Sequence, residues 1–195
     1  NCSLTKYWNI TNCRLNRIDA HFGSYNVNIK NCEIGTRTLA ITGSGYLNIE
    51  NTTVNAGYFL GLRSDLGGRW DGDITIRKGR LIPVNEYIAS IIDITPEEET
   101  TGNDVYSSNV TDLIMQWGRR IHIEDFVTDY EPINNVVGYN TAPLAVLYVR
   151  DLAVTAVNSI RFHFPDSLIC KNIDVWGREQ GYRFIVGVDT AGSNC

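Results

Sequence analysis

Short stretches of alternating apolar and polar residues recur along the chain. The clearest copy runs from Asn26 to Ile34. It alternates at Val27 and Ile29, meets Asn31, and then resumes its alternation in a new phase. Strict alternation is typical of a strand with one buried face. Asn or Asp at the break favours a sharp corner, because these residues tolerate the left-handed backbone conformation. Each copy therefore predicts a strand, a corner and a second strand.

Seven copies of this phrase are present when the chain is aligned on Ile29. The other six run Tyr7 to Leu15, Tyr46 to Val54, Asp73 to Leu81, Arg120 to Thr128, Val146 to Val154 and Ser167 to Val175. The corner position holds Asn12, Asn31, Asn51, Lys78, Asp125, Asp151 and Asn172, so only Lys78 departs from Asn or Asp. Strand, corner and strand returning at related intervals indicate a solenoid. We predict an all-β fold, a single-stranded parallel β-helix of about seven coils.

The alternation also predicts which side chains face inward. The expected interior comprises Trp8, Ile10, Val27, Ile29, Leu47, Ile49, Ile74, Ile76, Ile121, Ile123 and Val149. Cys13 and Cys32 share one repeat position, so we expect them to stack inward as reduced thiols. Further strands are predicted between the phrases, at 18–22, 39–43, 60–64, 91–94, 160–164 and 184–188, with 136–140 the weakest.

One domain covering residues 1–195 accounts for the whole pattern. The chain starts in a repeat-like context without an initiator Met, and we expect it to be a piece of a longer protein. The longest intervals hold two predicted loop excursions, at 95–118 and 129–142. Within the first, the acidic run Glu97 to Asn103 predicts a mobile loop, whereas the apolar Leu113 to Trp117 is expected to pack back on the β-helix.

Composition narrows the choice of partners. The chain has 195 residues, is 43% hydrophobic and has a formal net charge of −5. That apolar content is enough for a sizeable core, while the acidic balance and the lack of a Lys/Arg run argue against nucleic acid. The longest apolar run, about Pro143 to Val149, is too short to insert in a membrane. No CxxC pair or zinc-type His/Cys spacing occurs, so we predict no metal and no cofactor.

Two local segments carry a resemblance to a known family. They are Arg17 to Gly23 (Arg-Ile-Asp-Ala-His-Phe-Gly) and Leu60 to Ile74, which contains Leu-Arg-Ser-Asp, a glycine pair and Trp-Asp-Gly-Asp. With the repeats, they resemble the right-handed parallel β-helix of bacteriophage tailspikes and tail appendages, within the pectate-lyase-like superfold. The resemblance implies a homotrimer on a virion tail, acting outside the cell. It would contact a bacterial surface polysaccharide or teichoic acid, and in some members cut it.

Candidate chemistry lies on the outer face of the first four predicted coils. Asp19 and His21 are two residues apart on one strand and share a face. Coil stacking places Arg63 roughly 9 to 10 Å away and Asp93 one coil further. The candidate catalytic residues are Asp19, Asp65 and Asp93; the candidate substrate-binding residues are His21, Arg63, Trp70, Asp71 and Asp73. Carboxylates about two coils apart suit an inverting glycosidase, and Trp70 would stack on a sugar ring.

A purely structural interpretation of the same residues stays open. Outward Asp, His and Arg on a solenoid often form a solvated charge ladder. Asp71 and Asp73 could belong to an ordinary turn, and Trp70 could fill the junction between coils three and four or a trimer interface. Three functions therefore compete: a polysaccharide-degrading tail enzyme, a non-catalytic receptor-binding or structural module of the virion, and a bacterial polysaccharide lyase. His163 marks a second, weaker candidate ligand face.

Overall fold

The computed structural model describes residues 4–20, 23–63, 69–84, 89–95, 112–129, 144–149, 159–176 and 182–188. These residues form strands and no helix. The strands are β1 (Trp8–Thr11), β2 (Arg14–Leu15), β3 (Ile18–Asp19), β4 (Ser24–Lys30), β5 (Glu33–Ile34), β6 (Leu39–Ile41), β7 (Gly43–Val54), β8 (Tyr58–Arg63), β9 (Trp70–Leu81), β10 (Ser90–Thr95), β11 (Asp112–Gln116), β12 (Arg120–Asp129), β13 (Leu144–Val149), β14 (Ser159–His163), β15 (Ser167–Trp176) and β16 (Tyr182–Val188).

Parallel pairing sorts these strands into three sheets. Sheet A has the order β1-β4-β7-β9-β12-β15, with β2 and β5 paired beside it. Sheet B has the order β3-β6-β8-β10-β13-β16, and sheet C contains β11 and β14. The chain returns alternately to sheets A and B, so neighbours in a sheet are successive visits of the chain. The fold is therefore all-β and built from stacked parallel strands.

The register of sheet A follows the repeated phrase. Ile10 pairs with Ile29, which pairs with Ile49, and the same row continues through Ile76 and Ile123. It ends at Cys170 on β15. The apolar members from β4 to β12 are buried, whereas Trp8 and Ile10 on the edge strand β1 are only partly buried. The interior predicted from alternation is confirmed for this sheet.

The corners behave as the sequence predicts. Left-handed backbone with φ between 46° and 56° occurs at Asn12, Asn31, Asn51, Lys78, Asp125 and Asn172. Asn31 Nδ2 donates to Asn12 Oδ1 at 3.0 Å, and Asn51 Nδ2 donates to Asn31 Oδ1 at 2.8 Å. This amide ladder explains the preference for asparagine: the side chain accepts the left-handed conformation and also bonds to the next strand.

The two inward cysteines are also as predicted. Cys13 and Cys32 are free thiols. Cys32 is buried, and its thiol donates to the Lys30 carbonyl at 3.3 Å. These thiols therefore serve as small core side chains.

One of the seven copies belongs elsewhere. We predicted that Val149 would stack between Ile123 and Cys170, but β12 pairs directly with β15. Val149 instead pairs with Ile94, because β13 lies in sheet B between β10 and β16. All six residues of β13 are buried, so its sequence has no polar face that would reveal its place. The strand predicted at 160–164 forms as β14, but it pairs with β11 in sheet C and does not join sheet B.

Sheet B differs from prediction in a second respect, because both of its faces are covered. Ile91 and Ile92 are adjacent on β10, point to opposite faces and are both fully buried. Burial of both faces is the usual condition of parallel sheets. Asp19, which is 5% exposed, and Asp93, which is 0% exposed, were predicted to lie on an open outer surface. That prediction of exposure is wrong.

The two predicted loop excursions are described only in part. Within 95–118, residues 112–116 form β11 and Trp117 is fully buried, which confirms that the apolar end packs back on the fold. Glu97 to Asn103 and residues 130–142 lie outside the described residues. No helix of the described segments has the length and apolar character needed to cross a bilayer.

Candidate functional site

The structure divides the predicted site residues into two groups. Asp19, Arg63 and Asp93 belong to sheet B, whereas Asp71 and Asp73 lie on β9 of sheet A. His21 and Asp65 lie outside the described residues, so their assignment stays a prediction. The sequence placed all of these side chains on one outer face, and the described ones do not share one sheet.

Asp19 is held between two arginines. Arg17 Nη2 lies 2.5 Å from Asp19 Oδ2, and Arg63 Nη1 lies 3.0 Å from Asp19 Oδ1. The Arg63 side chain thus reaches Asp19 directly, which the strand spacing of roughly 9 to 10 Å did not predict. Asp19 is in register with Ala40, which is in register with Gly61, and these small residues leave room for the Arg63 side chain to reach back. Because both carboxylate oxygens bind guanidinium groups and the side chain is buried, this arrangement stabilises the fold rather than presenting a free acid.

Asp93 is enclosed as well. Ser90 Oγ donates to Asp93 Oδ2 at 2.8 Å, and neither residue has exposed surface. A buried carboxylate requires hydrogen-bond donors of this kind to offset its lost hydration. A polymer at the surface of the described structure cannot reach this carboxylate.

Trp70 does not provide an exposed stacking surface. It is fully buried at the start of β9, in register with Gly43 of β7. A side chain without exposed surface cannot stack on a soluble sugar, so the role we predicted for Trp70 is corrected. The structural alternative, that it fills the junction between successive repeats, describes its position.

A cleft of about 360 Å³ lies where β9, β12 and β15 begin. Its lining residues are Arg69, Asp71, Gln116, Gly118, Arg119, His163, Phe164 and Asp166. Backbone bonds assemble it: Arg119 N donates to Gly72 O at 2.7 Å, and Asp166 N donates to Arg119 O at 2.7 Å. The cleft therefore draws its side chains from three segments that are far apart in sequence, 69–71, 116–119 and 163–166.

Gly118 is required for this close approach. Its φ is +98°, and a Cβ atom there would lie 2.9 Å from the Gly72 carbonyl oxygen. A larger residue would be strained in this conformation and would push the strands apart. Glycine thus permits the turn that brings Arg119 beside Asp71.

Asp71 is the electrostatic centre of the cleft. Arg119 Nε donates to Asp71 Oδ1 at 2.7 Å and Arg119 Nη2 to Asp71 Oδ2 at 3.3 Å, while Gln116 Nε2 donates to Oδ1 at 3.1 Å. The hydrogen bond from Arg119 lowers the pKa of Asp71 below its ordinary value of 3.8 and raises that of Arg119. At the next position along these strands, Arg120 donates hydrogen bonds from Nε and Nη2 to the two carboxylate oxygens of Asp73. Both predicted substrate-binding aspartates are therefore engaged with arginines.

Phe164 is the exposed aromatic that the sequence analysis missed. It is 57% exposed, and its ring stacks on the buried Trp117 with 5.3 Å between centroids and 25° between planes. Trp117 also stacks on Phe162, at 5.9 Å and 15°. One face of Phe164 is thus fixed by a buried ring while much of its surface stays open to solvent at the mouth of the cleft.

The remaining lining residues supply polar groups. Arg69, His163 and Asp166 are exposed, and none of them forms an ion pair with another described residue. A fixed aromatic face beside an arginine, a carboxylate and an imidazole can stack on a sugar ring and hydrogen-bond its hydroxyl groups. Gly72 and Asp73 occupy the same repeat positions as Arg119 and Arg120. Aligning the repeats would therefore have shown that acidic and basic residues lie opposite one another on β9 and β12.

A second groove, of about 430 Å³, follows the corners. It is lined by Asn51, Thr53, Lys78, Gly79, Arg80, Asp125, Val127 and Asp129. Arg80 donates to Asp129 from Nε at 2.8 Å, so two of its four charges are paired. This groove has no aromatic lining residue, which makes it the weaker candidate for a sugar.

Metal binding has no support in the described parts of the chain, where no group of three or more His, Cys, Asp or Glu residues could hold an ion. Comparison of the chain with family models, curated proteins and solved structures finds no match.

Proposed function

We propose that this protein is a right-handed parallel β-helix module that binds a bacterial surface polysaccharide through the cleft beside Phe164. The observation that carries this proposal is the exposed Phe164 ring, held against buried Trp117 at the mouth of a polar cleft. Flat aromatic surfaces flanked by fixed hydrogen-bonding groups suit sugar rings, which combine apolar C–H faces with hydroxyl edges.

The β-helix is the finer interpretation of the stacked parallel sheets. The chain alternates between sheets A and B six times, and successive visits to each sheet are parallel and adjacent. Parallel strands joined by a crossover are almost always connected with a right-handed sense. This arrangement supports six coils among the described residues, one fewer than the seven phrases suggested, because β13 belongs to the same coil as β12.

Recognition without cleavage is the form of the proposal that we favour. Asp19 is saturated by two arginines and Asp93 is enclosed. Asp71 has a lowered pKa, so it is a poor proton donor, whereas a glycosidase needs an acid with a raised pKa. The buried Asp19 and Asp93 therefore have structural roles, and Asp71 suits a binding site better than a catalytic one.

A depolymerase is the second candidate, and one observation favours it. Asp71 on β9 and Asp166, which directly precedes β15, line the same cleft, and β9 and β15 are two places apart in sheet A. That places their backbones roughly 9 to 10 Å from one another, and carboxyl groups about 6.5 to 9.5 Å apart are typical of inverting glycosidases. The ionised Asp71 would act as the base and Asp166 as the acid.

The resemblance to tailspikes extends the proposal to the setting of the molecule. It would stand on a virion tail as a homotrimer and act outside the cell on a capsule, wall polysaccharide or teichoic acid. Light scattering of a chain that includes the flanking segments tests the trimer; a monomer at micromolar concentration would contradict it.

Affinity electrophoresis with capsule and wall polysaccharides tests the binding site. Phe164→Ala should weaken binding by about tenfold or more, since stacking contributes on the order of 1 kcal/mol beyond the buried area. Tyr7→Ala is the matched control, because Tyr7 is an equally exposed aromatic that does not line the cleft. Equal binding by Phe164→Ala and the wild type would overturn the proposal. New reducing ends or unsaturated products after incubation would favour the depolymerase.

A further inference from the structure

The charged side chains around the cleft are not all paired. Asp71 is paired with Arg119, and Asp73 with Arg120. Asp166 is the remaining carboxylate, and its charge raises the pKa of both Arg119 and Arg120. Three arginines thus face three carboxylates, and Arg69 and Asp166 are the two of these six that form no ion pair with a described residue. Arg69 is the cation of the described lining that has no ion-pair partner among the described residues.

Arg69 is also well placed to bind a ligand. Its backbone is fixed, because its carbonyl oxygen accepts a hydrogen bond from Gly43 N at 2.9 Å and the next residue, Trp70, is fully buried. Its side chain is exposed and lines the cleft. A guanidinium group presents its donors in a planar fork that matches a carboxylate or a phosphate. After the hydrogen bond from Arg119, the charge of Arg69 is a further cause of the lowered pKa of Asp71.

We infer that the cleft selects an acidic polymer: a sugar ring lies against Phe164 while a carboxylate or phosphate on that residue or its neighbour binds Arg69. This inference rests on the proposed function and narrows its ligand to anionic glycans. An uncharged sugar would leave the Arg69 guanidinium without a partner that matches its charge. The chemistry shared by uronate-containing polysaccharides and teichoic acids is an anionic group repeated along the chain, and either source would satisfy the site.

The experiment compares matched polymers. Polygalacturonate, its carboxyl-reduced neutral form and poly(glycerol phosphate) teichoic acid are titrated into the intact protein by calorimetry at low salt. The acidic forms should bind about tenfold or more tightly than the neutral form, the expected effect of charge-assisted hydrogen bonds. The preferred acidic probe identifies the source as carboxylate or phosphate. The preference should shrink as salt increases.

Variants assign the preference to one side chain. Arg69→Gln should remove most of the preference for the acidic polymer, because it should weaken binding of the acidic form far more than binding of the neutral form, whereas Arg69→Lys should retain part of the preference. Arg37→Gln is the matched control, because Arg37 is another exposed arginine that does not line the cleft. The inference is overturned if the wild type binds neutral and acidic forms equally, or if Arg69→Gln behaves as Arg37→Gln.

The results also distinguish failure of the acidic-ligand inference from failure of the proposed glycan-binding function. Binding of both forms that depends on Phe164 but not on Arg69 would retain the glycan-binding function and reject the acidic ligand. Failure of every polymer to bind would reject both.

Discussion

Arg63 on β8 reaches back across sheet B to Asp19 on β3, where its Nη1 lies 3.0 Å from Asp19 Oδ1. The two residues are 44 positions apart in sequence and are separated in the sheet by β6. Arg17 binds the other carboxylate oxygen from the same repeat as Asp19. A carboxylate that was predicted to be catalytic therefore links β3 to β8 across the intervening strand.

Asp19→Asn should destabilise the protein by about 2 kcal/mol or more, because it removes a buried negative charge that two guanidinium groups bind. An exposed Asp19, as the sequence suggested, would make this substitution harmless. Urea unfolding measures the difference, with Asp166→Asn as the control at an exposed carboxylate without an ion pair. If both variants unfold at the same urea concentration as the wild type, Asp19 does not have the structural role assigned to it.

The pair of Asp71 and Arg119 should make stability depend on pH. The hydrogen bond from Arg119 lowers the pKa of Asp71 in the folded protein below 3.8, so the Asp71 carboxylate binds a proton more readily in the unfolded chain. The pair therefore contributes its full stabilisation above about pH 4 and loses it as the pH falls through the lowered pKa. Melting temperatures of the wild type and Asp71→Asn should differ at pH 7, and the difference should shrink as the pH falls below about 4. A constant difference across that range would contradict the assignment.

Gly118→Ala should destabilise the fold and disturb the cleft together. The positive φ of Gly118 and the 2.9 Å approach of a Cβ to the Gly72 carbonyl predict a cost of about 1 to 3 kcal/mol. Gly23→Ala is the control, since a Cβ there would meet nothing within 4 Å. Thermal unfolding checks the stability, and glycan titration checks the site. Equal stability of the two variants would show that the turn tolerates a side chain.

Lys78 interrupts the amide ladder at the corners. In this ladder each amide nitrogen donates to the corner residue of the preceding strand. Asp125 accepts such a bond from Asn172 at 2.9 Å, but its carboxylate has no N–H group that could donate to position 78. An asparagine at position 78 would set its own carbonyl oxygen against this carboxylate. Lys78→Asn should therefore gain little alone, whereas the double variant Lys78→Asn/Asp125→Asn should gain about 1 kcal/mol from the continuous ladder. A double variant no more stable than Lys78→Asn alone would refute this account.

The sequence by itself determined sheet A and its corners. Alternation specifies a strand with one buried face, and the register of Ile29 with Ile49 and Ile76 follows because a one-residue slip would expose every apolar side chain. The left-handed corners follow from local chemistry, since Asn and Asp tolerate a positive φ at low cost. Lys78 shows that position in the repeat outweighs residue preference, because it adopts the same φ of about 50° as its neighbours.

Only the tertiary structure decided sheet B and the cleft. Both faces of β13 are apolar, so alternation could not assign this strand to a sheet. Asp19 and Asp93 are buried because the outer face of sheet B is covered. The cleft joins Asp71, Arg119 and Phe164, which are 48 and 45 positions apart along the chain. Their meeting depends on which strands stack and in what register, and the long connections between strands place no local constraint on that choice.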